Sequence, residues 1–560
     1  MTSVQHRDIE IAQAAFARPI ADVAADLGLL PGEIEPYGPY KAKITFPACS
    51  RLVGRPMGKL VLVSAMTPTS AGEGKTTITV GLADAFRKAG KKAIVCIREP
   101  SMGPCFGVKG GAAGGGQSQV IPMEDINLHF TGDLHAVAAA HNLLAAMIDN
   151  HLHHGNSLRI DSRRIAFRRV LDMNDRALRN LVIGLGGKPN GVPRETGFAI
   201  VAASEVMSIL CLAESISSLK ERLGNIVVGF NENNELVRAK DLKAQGAMAA
   251  ILKDALKPNL VQTLNGTPAL VHGGPFANIS HGCNSIIATK LALRTSDVTV
   301  TEAGFGTDLG AEKFFDIKCR IGDLKPDAAV VVATIRALKH HGGVPKDQLE
   351  KEHVYELLRG FENLVKHIEN IRCFGVPCVV AINRFASDTD QEIAFVVKAV
   401  KELGVAVAVS EMYEKGAEGG MELMLEIDRI IKEKPTNFTH LYPLELPLVN
   451  KINVICQCLY GAEGVDILQP AREKLELFEK LGYRKLPIVI VKTQSSLSDI
   501  AGKIGRPSGF RVTIREAQLM GGAEMIAVIA GDIMVMPGLP KVPAAENIDV
   551  DDYGRISGLF

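Results

Sequence analysis

Apolar residues in this chain come in short, dense runs separated by amphipathic stretches. Val61, Leu62 and Val63 form the first clear run, suited to a buried strand. Beyond it, Leu82, Ala85 and Phe86 recur at helical spacing, and Gly90 supplies a stop. A second strand is expected from Lys92 to Ile97. Further strand-like runs are Ala269–His272, Val298–Thr301, Ala328–Ala333, Cys378–Ile382, Val405–Val409 and Pro487–Val491. Helical patterns lie between many of them, among them Asp133–His154, Asp347–Asn370 and Glu422–Glu433. This alternation predicts an α/β fold on a mostly parallel sheet. Turn residues cluster at Gly342, Gly343 and Pro345, and again at Pro435, Pro443 and Pro447. They divide the chain into expected units of 1–345, 346–445 and 446–560. The lead-in to about residue 58 reads as a helix and a turn-rich connector, with Lys41 and Lys43 expected on a solvated edge, the alternative being that they lean toward a phosphate.

Chemistry enters with the loop between the first strand and its helix. Thr69, Ser70, Ala71, Gly72, Glu73 and Gly74 precede Lys75 and Thr76. A strand–loop–helix of this kind points backbone N–H groups inward, and the helix N-terminus adds positive potential. The reading is a phosphate-loop NTPase-like site for ATP. Lys75 would meet the terminal phosphates and Thr76 a Mg2+ ion. Thr69 stands where the general pattern has glycine.

Arg98 follows the second strand. Ligands of open parallel sheets bind beyond the carboxyl ends of strands, so Arg98 is expected in the same crevice as Lys75. The alternative is a surface ion pair with Glu99. Loops at 272–285, 301–316 and 381–390 also follow strand-like runs. In the last, Asn383 and Asp388 are similar to base-recognition loops, which makes Asn383 a candidate for adenine. Tyr413, in a glycine-containing loop, would stack on a flat ring or pack on the next helix. The glycine-rich run 103–119 is expected to hold no regular element and to let backbone approach a ligand.

Composition narrows the classes. The 560 residues carry a net charge of +1, so no overall field favours nucleic acid or a membrane. No apolar run reaches the roughly 18 residues of a membrane span. The first sixteen residues lack the apolar core of a secretory signal. Ten scattered cysteines match no zinc spacing, and a cytoplasmic protein with buried thiols is expected. Aromatic residues make up only 5%, with no Trp, which leaves few rings for stacking.

Several long segments resemble one family: PYGPYKAKI, TPTSAGEGKTTITVGL, REPSMGPCFGVKGGAAGGG, HFTGD, AAHNLLAAMIDNH, HGGPFANISHGCNS, TEAGFGTDLGAEKFFDIKCR and GDIMVMPGLPKVPAAENIDVD. They are similar to the formate–tetrahydrofolate ligases, also called formyltetrahydrofolate synthetases, in order and over nearly the whole chain. The last segment has no generic chemical reading and argues kinship only.

The resemblance implies a reaction of ATP, formate and tetrahydrofolate through formyl phosphate to 10-formyltetrahydrofolate, ADP and phosphate. By it, Lys75 bridges phosphates and Arg98 holds formate and then formyl phosphate. Phe305 and Tyr413 match the pair that sandwiches folate, Tyr413 standing where Trp is frequent in the family. Thr69 agrees with the family's own loop. Glu99 and Asp133 are the candidates for a monovalent cation (K+ or NH4+), or else orient Arg98. A homotetramer is implied as well. The competing class is an ATPase that switches a partner protein.

Overall fold

The computed structural model describes residues 8–69, 72–107, 113–531 and 533–559. Ser70 and Ala71 of the candidate phosphate loop, and 108–112 of the glycine run, lie outside them.

Strand β1 (Ile34–Pro36) and β2 (Ala42–Ile44) start the main sheet. It continues with β3 (Lys59–Ala65), β4 (Ala93–Ile97), β5 (Ser118–Ile121), β6 (Asn259–Thr263), β7 (Pro268–Val271), β8 (Val298–Gly306), β9 (Ala328–Ala333), β10 (Cys378–Asn383) and β11 (Ala406–Ser410). The spatial order is β1-β2-β6-β7-β4-β8-β3-β9-β10-β11, with β5 also on β6. From β7 to β11 every pairing is parallel, whereas β1, β2, β6 and β7 pair antiparallel. The expected α/β class with a mostly parallel sheet therefore holds. The sheet crosses residue 345 without a break, since β9 pairs β10 through Ala329 and Cys378.

The dense apolar runs are explained by burial on both faces. Val61 and Val63 pack with Ile78, Leu82 and Phe86 of helix α1 (Lys75–Lys88) on one side. Leu60 and Leu62 face a second cluster that includes Phe314, Phe315 and Leu364. That cluster runs on into a separate four-stranded sheet, Gly464–Ile467, Arg511–Met520, Met525–Ala530 and Ile488–Val491 in spatial order. Small two- and three-stranded sheets between residues 160 and 238 cover helix α2 (Asp133–His153).

Three expectations are corrected. Lys43 is not on a solvated edge: its strand is internal to the sheet and the side chain is fully buried. Its ammonium donates to both oxygens of Asp133 (2.8 and 3.1 Å), to Asn259 (2.9 Å) and to the Lys257 carbonyl (3.1 Å). The glycine run also holds regular structure, a short helix at Met102–Phe106 and a Gly114–Gly115 pairing with β5. Packing supplies there what local propensity does not. The Asp347–Asn370 pattern starts late, as a helix α3 over Val354–Cys373.

Among the described residues no helix is long and apolar enough to cross a membrane. All ten cysteines are free, and Cys373 and Cys458 are exposed.

Candidate active site

The carboxyl ends of five adjacent strands meet at one rim. β3 delivers the loop that ends in Gly74 and Lys75. Gly74 caps α1 with φ 71°, a conformation that favours glycine. Space demands glycine as well, because a Cβ there would lie 2.4 Å from Asn383 Nδ2. β10 delivers Asn383, whose amide donates to the Glu73 carbonyl (3.1 Å). In this structure Asn383 thus braces the loop backbone.

Glu73 is buried and shapes the loop from within. It accepts from the Thr69 N–H (2.6 Å) and hydroxyl (2.9 Å), and from the Thr334 hydroxyl beyond β9. Arg336, on the helix after β9, donates to the Gly72 carbonyl (2.5 Å) and stacks on Phe385, 3.9 Å from the ring centre.

β4 delivers Arg98 and β8 delivers Glu302. The Thr76 hydroxyl donates to Glu302 at 2.8 Å. The other Glu302 oxygen lies 3.7 Å from Arg98, which also donates to the Pro275 carbonyl (3.3 Å). The Arg98 Nε is buried without a partner among the described residues. At Gly304 a Cβ would come 3.1–3.2 Å from the guanidinium, so only glycine leaves Arg98 its place undisturbed. Lys75 has its pKa lowered, chiefly by desolvation, against the opposing pull of Glu302 and Glu73. Lys75, Thr76, Arg98 and Glu302 thus form one cluster with two cations and a single carboxylate between them.

β8 breaks as it reaches this rim. Its pairing with β3 shifts register between Glu302 and Gly306. Phe305, half-buried, takes φ 61°, which costs about 1–3 kcal/mol in a non-glycine residue. Two π-helical turns follow, Thr307–Ala311 and Phe314–Cys319, a geometry frequent at functional sites. His367 ties this break to the end of β3: its ring nitrogens pair with the Thr67 and Thr307 hydroxyls at 2.8 and 2.7 Å.

Behind the rim the interior is rich in cations. Lys313 donates to the Ala277 carbonyl (2.5 Å), and burial pushes it down to about 8. Burial also pushes His281 down to about 3, helped by Lys318, Lys313 and Arg98. Burial, and then the Asp316 charge, lift the Glu312 carboxyl well above the usual carboxylate range.

The other expected residues fall into two places. Asp133 carries the Lys43 ammonium and also accepts from Asn259 (2.8 Å). Glu99 is buried, with one carboxylate oxygen unpartnered among the described residues. Burial first, and then the Asp133 charge, lift its pKa well above the usual range. Tyr413 is in a different neighbourhood. Its ring lies against Gly115 and Gly116, where a Cβ would come within about 3 Å, and its hydroxyl donates to Asp8 (2.9 Å). The preceding Met412 packs on Gly81, six residues or about 9 Å along α1 from Lys75.

Sequence reasoning missed Glu302, Thr334, Arg336 and His367. Glu302 left a signal, a lone carboxylate closing the apolar run Val298–Thr301. The other three sit on helices or strand ends whose apposition is decided by the sheet order.

An α/β enzyme whose charged side chains converge beyond parallel strand ends is what this fold and site define. Residues 6–560 match the family of formate–tetrahydrofolate ligases, and the chain belongs to that family. Membership implies ligase activity on formate and tetrahydrofolate.

Proposed function

We propose that the enzyme uses ATP to join formate to tetrahydrofolate, giving 10-formyltetrahydrofolate, ADP and phosphate by way of formyl phosphate. The carrying observation is the Lys75–Thr76–Arg98–Glu302 cluster in a chain matched to the ligase family from end to end.

Formate is a poor acyl donor because its oxygen leaves badly. Transfer of the terminal phosphoryl group to a formate oxygen converts that oxygen into part of a phosphate leaving group. Such a transfer is governed by positioning and charge stabilisation. The loop that Asn383, Thr334 and Arg336 hold in place is suited to the ATP phosphates, with Lys75 at the terminal one. Arg98, forked and two-donor, suits a carboxylate first and an acyl phosphate afterwards. The folate nitrogen then attacks the formyl carbon. The C–O bond to phosphate breaks, and the oxyanion that forms on the way is met by Arg98.

Thr76 and Glu302 present two oxygens of the kind Mg2+ takes. When bound, the ion would offset phosphate charge. For a monovalent cation, Asp133 is already engaged by Lys43, so the unpartnered Glu99 oxygen is the open half of that pair. Phe305 is proposed for one face of the folate ring, on the strained bend next to Arg98. Tyr413, set apart against Gly115 and Gly116, is proposed for the other on the resemblance alone. Assembly as a homotetramer is proposed on the resemblance alone; sedimentation equilibrium tests it.

The test is ADP formation with each substrate omitted. ADP release should require formate, and multiple turnovers should require tetrahydrofolate. Steady ADP release without either, stimulated by a protein partner, would instead favour the switch ATPase.

A further inference from the structure

Away from the rim, a partly open cleft of about 430 Å3 lies between the segment Ala166–Val170 and the strands Arg511–Met520 and Met525–Ala530. This volume is in the range of small-molecule sites, roughly 300–1,000 Å3. Its floor is apolar, formed by Ile279, Val491, Met520, Ala527 and Ile529. Ile533, Met534, Val535 and Met536 close one side. They belong to the segment after Gly531 that had no chemical reading in the sequence.

The polar side chains at the cleft include three arginines, of which Arg169 is paired with Asp149 at 2.8 Å. His141 stacks on Phe167, with ring centres 4.1 Å apart and planes 15° apart. Its Nε2 is 2.8 Å from the Arg168 carbonyl. A carbonyl only accepts, so Nε2 carries the proton and Nδ1 is a bare acceptor. That Nδ1 is buried with no partner among the described residues, on a residue only 5% exposed. Arg168 and Arg179 also line the cleft, and among the described residues neither has a carboxylate within ion-pair distance. Glu205 is occupied, accepting the Gly522 and Ala523 N–H groups at 2.7 and 3.1 Å.

We propose that this cleft is a second ligand site, separate from the Lys75–Arg98 rim, for an aromatic or heteroaromatic anion bearing one N–H or O–H group. The rings would lie on the methionine- and isoleucine-rich floor, the anion against Arg168 and Arg179, and the donor on His141 Nδ1. Each ligand feature answers one feature of the walls: apolar area, two cations that donate to the Arg179 and Met536 carbonyls (3.3 and 3.0 Å) but lack a carboxylate among the described residues, and an orphan acceptor.

The probe is 8-anilino-1-naphthalenesulfonate, which has fused rings, a sulfonate and one N–H. It is titrated by fluorescence into the full-length enzyme, alone and with saturating ATP, formate or tetrahydrofolate. The expected result is one dye per chain, undisturbed by these substrates. Its Kd should rise at least tenfold in Arg168→Gln/Arg179→Gln and several-fold in His141→Phe. Ala527→Phe, which fills the floor, should abolish binding. Because a buried Phe can unfold the chain, the two glutamine changes, one at an exposed and one at a half-buried position, decide the matter. Unsaturable binding, an unchanged Kd in the glutamine variant, or displacement by ATP or tetrahydrofolate would overturn the proposal.

Discussion

Two lysines in this molecule are treated in opposite ways. Lys43 is fully buried and fully satisfied, holding Asp133, Asn259 and a backbone carbonyl at 2.8–3.1 Å. Lys75 begins a helix at the rim and feels Glu302 and Glu73 only as charges through space. Arg98 beside it has one long ion pair, at 3.7 Å, and an orphan Nε. A saturated cation fixes structure, and an unsaturated one is poised for an anion. Lys43 therefore belongs to stability, and Lys75 is the lysine proposed for chemistry.

The sharpest way to break this contrast is at Lys43. Lys43→Met leaves the Asp133 charge buried and alone, and stability should fall by about 3–5 kcal/mol. Urea unfolding measures it, and Lys43→Met/Asp133→Asn should recover part of the loss. Lys75→Ala and Arg98→Ala are the counterpart. Each should lower the rate of formate-dependent ADP release roughly a hundred- to a thousand-fold or more, in line with the loss of one charge-stabilising donor. Their urea midpoints should stay near that of the unaltered enzyme. A large stability loss in Lys75→Ala would erase the distinction between the two lysines.

How much of this could be read from the sequence follows the range of the interactions. The strand and helix at 59–90 were legible because burial on both faces leaves a local apolar signature. Arg98 was legible because position after a strand fixes its side of the sheet. Lys43 was misplaced because its partner, Asp133, is 90 residues away and no local pattern announces the pair. Glu302 reaches Thr76 across 226 residues, for the same reason. Phe305 was named through resemblance. Its strained backbone, with φ 61° and a register shift, is visible only in the fold. Tyr413 was legible as a ring in a glycine-containing loop and was matched to folate through resemblance, but its platform of Gly115 and Gly116 belongs to a run that propensity alone reads as irregular.

Smaller effects sharpen the comparison. Burial pushes His272, His281, His341 and His367 down to about 4, 3, 4 and 3. Their folded pKa values lie below the unfolded one of 6.5, so unfolding takes up protons. The stability they contribute is present above pH 6.5 and is lost as pH falls toward 4. Between pH 6.5 and 5 this amounts to about 1.5 kcal/mol per histidine. Urea midpoints at the two pH values measure it, and His367→Gln should flatten part of the slope. Smallest is Tyr413→Phe, which removes only the half-exposed hydroxyl bond to Asp8. It should cost less than about 1 kcal/mol and leave the tetrahydrofolate KM within a few-fold. Tyr413→Ala, which removes the ring, should raise that KM by tenfold or more, and steady-state kinetics separates the two.

The central claim is that Lys75 and Arg98 are left unsatisfied in order to move a phosphoryl group onto formate. Labelled formate tests it most directly. With both formate oxygens replaced by 18O, one labelled oxygen should appear in every phosphate released, because the oxygen that attacks phosphorus leaves with it. Mass spectrometry of the phosphate decides the outcome. One 18O per phosphate is the result predicted, and phosphate released without label during full product formation would contradict it.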